Sequence, residues 1–182
     1  MHALGSDHVA GLLTRCTFPP AGTAVTCAVS GGPDSTALLA LAVAAGCVVT
    51  AVHVDHGLRP GSAEEADVVR ATAERFGASF RGVTVQVGPG PNLEARAREA
   101  RYGALPADVL TGHTADDQAE TVLANLLRGA GSAGLAAMRP SPRRPILGLR
   151  RAETHDLCHR LGLEVVHDPS NRSEEHTSEL QS

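Results

Sequence analysis

Ala24-Val25-Thr26-Cys27-Ala28-Val29 runs directly into Ser30-Gly31-Gly32-Pro33-Asp34-Ser35 and then into an apolar stretch from Thr36 to Ala45. A short β-branched run, a glycine turn and an alanine- and leucine-rich segment make the opening of a βαβ unit. Two glycines let the backbone turn sharply and come close to a ligand, and the helix that follows offers unpaired N–H groups and the positive end of its dipole. Such a turn suits a phosphate chain, and Ser30 and Ser35 add hydroxyl donors. Asp34 repels phosphate, so its place here makes sense if it holds Mg²⁺ or accepts a proton during a reaction. A merely structural Gly-Gly turn has no need of a carboxylate between two serines.

Downstream, the same alternation continues. Strands are expected at Ala24–Val29, Val48–Val54, Arg81–Val87 and Asp108–Thr111, with a weaker one at Pro145–Leu149. Helices fit at Ser35–Ala45, Ser62–Phe76, Asn92–Leu105, Ala115–Arg128 and Ala152–Leu161. Ser62 with Glu65 forms a capping box, and Asn92 is an N-cap with Glu94 in the first turn. The expected fold is therefore α/β: a Rossmann-like parallel sheet with helices on both faces.

Composition narrows the chemistry. The chain has 182 residues, 42% of them hydrophobic, and a formal charge of −4, a profile that supports a packed core and excludes a module working by bulk positive charge. All 16 basic residues are Arg, so neither a Schiff-base lysine nor a Walker A lysine is present. Cys16, Cys27, Cys47 and Cys158 are scattered without a C-x-x-C pair, and the N-terminus lacks a charged-then-apolar signal segment, which points to a reducing cytoplasm. The longest apolar run, Thr36 to Thr50, is too short for a bilayer span, so no membrane association is expected.

A second motif, Thr111-Gly112-His113-Thr114-Ala115-Asp116-Asp117-Gln118-Ala119-Glu120-Thr121, follows an expected strand and opens an expected helix. Asp117 and Glu120, three apart, share a helical face, whereas Asp116 points elsewhere. Facing Asp34, these two acids form a site for one magnesium ion. The alternative is that Asp116 and Asp117 only cap the helix.

The Ser30–Ser35 loop resembles the PP-loop of the N-type ATP pyrophosphatases, adenine nucleotide α-hydrolase-like enzymes that cleave ATP between the α and β phosphates. Within that superfamily the chain is similar to the tRNA(Ile)-lysidine synthetases. The similarity rests on the Gly112–Thr121 block together with Val52-His53-Val54-Asp55-His56-Gly57-Leu58-Arg59, the stretch Asn92-Leu93-Glu94-Ala95-Arg96-Ala97-Arg98-Glu99-Ala100-Arg101-Tyr102, and His167-Asp168-Pro169-Ser170-Asn171. The resemblance implies an ATP- and Mg²⁺-dependent ligase. Such an enzyme adenylates C2 of the wobble cytidine of an isoleucine tRNA with a CAU anticodon and joins free L-lysine to it, releasing AMP and pyrophosphate. It implies catalytic roles for Asp34, Asp117 and Arg98, and magnesium ligation by Asp34, Asp117 and Glu120. ATP would be held by Ser30, Gly31, Gly32, Pro33, Asp34, Ser35, His53, His56, Arg101, Gly112 and His113. Arg98 and Arg101 would share one helical face as a phosphate clamp; without the resemblance they read as a solvated basic face.

Residues 1–171 are expected to form this catalytic domain, with net charge −2, and the family's C-terminal tRNA-gripping domains are expected to be missing. Arg172 to Ser182, R-S-E-E-H-T-S-E-L-Q-S, has no apolar periodicity and reads as a non-native, adapter-derived tail. Two other readings compete. A tRNA 2-thiocytidine synthetase shares the loop but depends on paired cysteines, and a non-catalytic nucleotide-binding module needs no set of three acids.

Overall fold

β1 (Ala24–Ala28) and β2 (Val48–Asp55) pair in parallel with Cys27 opposite Ala51, and β3 (Ser79–Thr84) pairs in parallel on the far edge of β2 with Phe80 opposite Ala51. These contacts come from a computed structural model that describes residues 6–55, 62–85, 96, 100, 103–129 and 141–166. The free edge of β1 is met by Leu110, whose N–H donates to Thr26 O at 2.8 Å and whose carbonyl accepts from Ala28 N at 2.9 Å. The sheet thus grows from β1 through β2 to β3, and the chain then returns to the other side of β1. Such a switch point leaves a crevice at the carboxyl ends of the strands, where α/β proteins take their ligands.

Helix α2 (Pro33–Ala44) follows β1, and every residue from Thr36 to Ala42 is buried. Apolar on all sides, it lies inside the molecule rather than on a face. Helix α3 (Ser62–Arg75) packs on β2 and β3. In β2 the consecutive residues Ala51, Val52 and His53 are all buried, so both faces of that strand are covered, as a parallel sheet requires. Helix α4 (Ala115–Leu127) carries the second motif, and helix α5 (Arg151–Arg160) packs against α2. Leu38, Leu39, Leu41, Val52, Val69, Ile146, Leu149 and Leu157 are the large side chains at the centre.

Three expectations need correction, and one helix was not expected. The Asp108–Thr111 strand reduces to the single bridge at Leu110. Before it, Val109 N bonds back to Pro106 O in a turn, and after it Thr111 N is drawn to Arg143 O at 2.8 Å. Pro145–Leu149 is not a strand but a helical turn, closed by Leu147 N to Arg144 O and Leu149 N to Ile146 O. Its buried residues, Pro145, Ile146 and Leu149, fall at adjacent and then three- and four-residue spacings, which fit a turn and not the alternation of a pleat. The third strand starts at Ser79, two residues before its expected start. Helix α1 (Ser6–Leu13), unanticipated, lays Leu12 on the core. The expected Asn92–Leu105 helix falls mostly outside the described residues.

Candidate active site

The turn after β1 is shaped by its two glycines in different ways. Gly31 has φ +95°, its carbonyl accepts from Val166 N at 2.9 Å and from the Thr36 hydroxyl at 3.2 Å, and a Cβ there would lie 2.7 Å from Val166 Cγ2. Gly32 is extended, and a Cβ on it would meet nothing nearer than Ser30 Oγ at 3.6 Å. Gly31 therefore serves the fold, and Gly32 leaves open space beside the loop. The Ser35 hydroxyl donates to Gly32 O at 2.9 Å and lies 3.1 Å from Ser30 Oγ, knitting the loop together. Helix α2 begins at Pro33 with Gly32 as N-cap and no side-chain cap, so the positive end of its dipole is presented by backbone alone.

Gly112 belongs to the same crevice, but its role is packing. A Cβ there would lie 2.9 Å from Asp34 O and 3.0 Å from Ser35 N, so the second motif can approach the first turn of α2 only with glycine at this position. That approach places the start of α4 beside Asp34. The Asp117 carboxylate accepts from Thr114 N at 2.7 Å and from the Thr114 hydroxyl at 2.8 Å, so it does cap the helix. Its other oxygen is turned outward, to a residue the sequence did not single out.

That residue is Arg151. Its Nη1 lies 2.9 Å from Glu120 Oε1, its Nη2 3.2 Å from Asp117 Oδ1 and its Nε 3.8 Å from Asp34 Oδ2. Its own backbone N–H donates to Asp116 Oδ2 at 2.8 Å. The three carboxylates expected to face one magnesium ion do converge, and the centre they converge on is a guanidinium. Among the described residues no three His, Cys, Asp or Glu side chains stand, as placed, where they could hold a metal ion. Oxygen donors directed at one cationic centre are nonetheless the donor set a hard divalent cation takes, commonly using one or two carboxylates with phosphate oxygens completing the shell.

Asp34 is the most embedded of the acids. Burial pushes its carboxyl above the ordinary range, the Thr154 hydroxyl that donates to Oδ1 works against this, Asp117 adds to it, and His155 and Arg151 oppose it. Thr154 itself is fully buried and lies one turn along α5 from Arg151. Arg151 is held more firmly protonated than usual, since its bond to Glu120 and the neighbouring carboxylates outweigh the cost of its burial. Arg151 and Thr154 were missed in the sequence, although one signal was available. Cations are disfavoured in the first turn of a helix, and two successive arginines at the start of α5 ask for an anionic partner nearby.

The remaining expected residues divide. His53 is buried, and its Nδ1 lies 2.9 Å from Val29 O, tying the end of β2 to the chain just before the loop. His113 Nδ1 lies 2.8 Å from Thr111 Oγ1, whose own proton goes to Arg143 O at 3.2 Å, so the ring is held beside the end of the Leu110 bridge. Ser30, Gly31, Gly32, Pro33, Asp34 and Ser35 make one turn, Gly112 packs on Asp34 and Ser35, and Asp117 and Glu120 are linked to Asp34 through Arg151. His56, Arg98 and Arg101 lie outside the described residues, as does the tail from 172 to 182.

The PP-loop domain family matches residues 7–179. A tRNA(Ile)-lysidine synthase of Nocardia farcinica is 51% identical over 169 residues, covering 88% of this chain and 53% of that protein. One of Mycobacterium tuberculosis is 49% identical over 150 residues, covering 78% and 46%. The chain thus spans about half the length of the curated relatives it matches. Among solved structures, the U34-tRNA thiolase NcsA of Methanococcus maripaludis superposes with a TM-score of 0.70 at 19% identity, over 98% of this chain and 73% of that one. The NH3-dependent NAD synthetase of Campylobacter jejuni gives 0.52 at 15%, over 97% and 84%. At such identities these two likenesses speak for the fold.

Proposed function

Because the chain belongs to the PP-loop domain family, whose match spans residues 7–179, we propose that it is the ATP-activating part of a tRNA(Ile)-lysidine synthase. The observation that carries this reading is the meeting of two motifs in one crevice. The Ser30–Ser35 turn and the uncapped start of α2 suit the phosphates, and Asp34 stands within the same ion-pair set as Asp117 and Glu120. In the proposed reaction the C2 oxygen of the wobble cytidine of a CAU-anticodon tRNA(Ile) attacks the α phosphate and pyrophosphate leaves. The ε-amine of free lysine then attacks C2, and AMP departs with that oxygen. Magnesium, when bound, neutralises the phosphate oxygens, and Asp34, Asp117 and Glu120 are the residues that would hold it. Backbone N–H groups of the loop bind and orient the phosphates, and the half-buried Asp34, in the loop itself, is the acid beside them. Arg98 and Arg101 are proposed as the clamp on the leaving pyrophosphate, and His53, His56 and His113 as residues near the nucleotide.

Sulfur transfer, the activity for which the thiolase is named, is the second reading. The four thiols of this chain weigh against it: Cys27, Cys47 and Cys158 are buried, and burial pushes Cys27 and Cys158 up to about 12 and Cys16 up to about 11. A sulfur carrier needs an accessible thiolate. The direct test is AMP release from ATP with a tRNA(Ile) transcript, with and without lysine. Release that depends on both supports the proposal; release indifferent to lysine overturns it.

A further inference from the structure

The Arg151 guanidinium joins carboxylates from two helices, α2 and α4, while sitting on a third. Its three nitrogens each face a different acid, Glu120 at 2.9 Å, Asp117 at 3.2 Å and Asp34 at 3.8 Å, a span that the wide planar fork covers and the single nitrogen of a lysine does not. Its backbone is pinned by Asp116, but its side chain is 40% exposed. The anchor is therefore fixed and the head can swing. Three carboxylates and one guanidinium leave a formal charge of −2, which one divalent cation balances. A cation entering this site has to take carboxylate oxygens that Arg151 now occupies.

We propose that Arg151 is the positioning residue of this site, a resident cation that keeps Asp34, Asp117 and Glu120 converged in the free protein and gives them up to a divalent cation only when nucleotide phosphates draw its guanidinium away. The inference rests on the functional reading above for the identity of the nucleotide. Phosphate is a good bidentate partner for arginine, so the displaced head exchanges one set of charged hydrogen bonds for another. The exchange makes cation and nucleotide binding cooperative, because each removes a competitor of the other. Free Mg²⁺ alone is then a weak ligand, since it has to break three ion pairs without any compensating contact for Arg151.

The test is a set of calorimetric titrations on the full chain and on Arg151→Met and Arg151→Lys, with Mg²⁺ alone, ATP alone and both. In the unaltered protein Mg²⁺ alone binds weakly and ATP strengthens it. Arg151→Met, relieved of the competitor, binds Mg²⁺ alone at least about tenfold more tightly and loses the strengthening by ATP. Arg151→Lys keeps the charge but cannot reach all three acids, so it falls between, and it carries the test if the methionine variant does not fold. Equal or weaker Mg²⁺ binding in both variants overturns the proposal. If the variants shift Mg²⁺ binding as expected but no protein binds ATP, the functional reading and the nucleotide-driven release both fail, and only the competition between Arg151 and the cation stands. If ATP binds and Mg²⁺ affinity ignores residue 151, the role of Arg151 fails and the functional reading stands.

Discussion

A side-chain carbon on Gly31 would sit 2.7 Å from Val166 Cγ2, so the glycine after β1 and the valine beyond α5 can touch only because one of them has no side chain. The same contact is closed by the Val166 N–H donating to Gly31 O at 2.9 Å. The two glycines of the loop should therefore respond differently to substitution. Gly31→Ala meets both a positive φ and a clash, and should cost about 2 kcal/mol or more of stability, read by urea unfolding. Gly32→Val should unfold close to the parent midpoint yet lose ATP binding in calorimetry. A Gly32→Val protein that binds ATP normally would remove the loop from the phosphate site.

Asp34 should hold its charge at a cost to stability. Its carboxyl is raised in the folded state, so the native protein binds this proton more tightly than the unfolded chain does. Its contribution to stability is complete below the ordinary carboxylate range and is lost as pH rises through the raised value. Asp34→Asn should accordingly melt at or above the parent at pH 7, with the gap closing as pH falls below that range, while AMP formation is abolished. A parent that is the more stable of the two at pH 7, by a margin that grows with pH, would contradict this account.

Glu153 has the opposite sign. Its carboxyl is lowered, first by the Arg15 side chain that donates to it and then by the backbone N–H of Arg150 at 2.9 Å. The bond joins the segment after α1 to the start of α5, and its stabilising effect is present above the ordinary glutamate range and lost as pH falls through the lowered value. Because both groups are partly exposed, Glu153→Gln should cost only about 0.5 kcal/mol at pH 7. Thermal melts at pH 7 and in acid should show the difference shrinking toward zero.

Local patterns disclosed the strands and helices that carry their own signals. The glycine turn between Val29 and Ser35 and the alternation around it fixed the first βαβ unit, and α4 was visible from the acidic start of its motif. What local pattern could not give was the partner of each group. Pro145–Leu149 reads as a short apolar strand, but its buried residues, Pro145, Ile146 and Leu149, do not alternate and belong to a turn. Arg151 lies 117 positions from Asp34 in sequence, and only the packing of α5 on α2 brings them together. The reading of Asp34, Asp117 and Glu120 as one set was silent about the guanidinium that all three of them face. Helix α4 shows a further limit: it buries none of its described residues, and Leu127 is 89% exposed, a placement its apolar spacing does not announce.

The cysteines should be chemically quiet. Cys27 has no exposed surface, Cys158 donates to Pro33 O at 3.3 Å, and Cys16 donates to Leu12 O at 3.3 Å, while burial raises all four thiols above their ordinary value. Reaction with iodoacetamide follows the thiolate, so at pH 8 the native protein should be alkylated far more slowly than a free thiol, and all four cysteines should react once it is unfolded in guanidinium. Mass spectrometry of the intact chain over time reads both numbers. A native Cys158, the thiol beside Pro33, that reacts as fast as a free thiol would place an accessible thiolate next to the loop and would move the balance from amine transfer toward sulfur transfer.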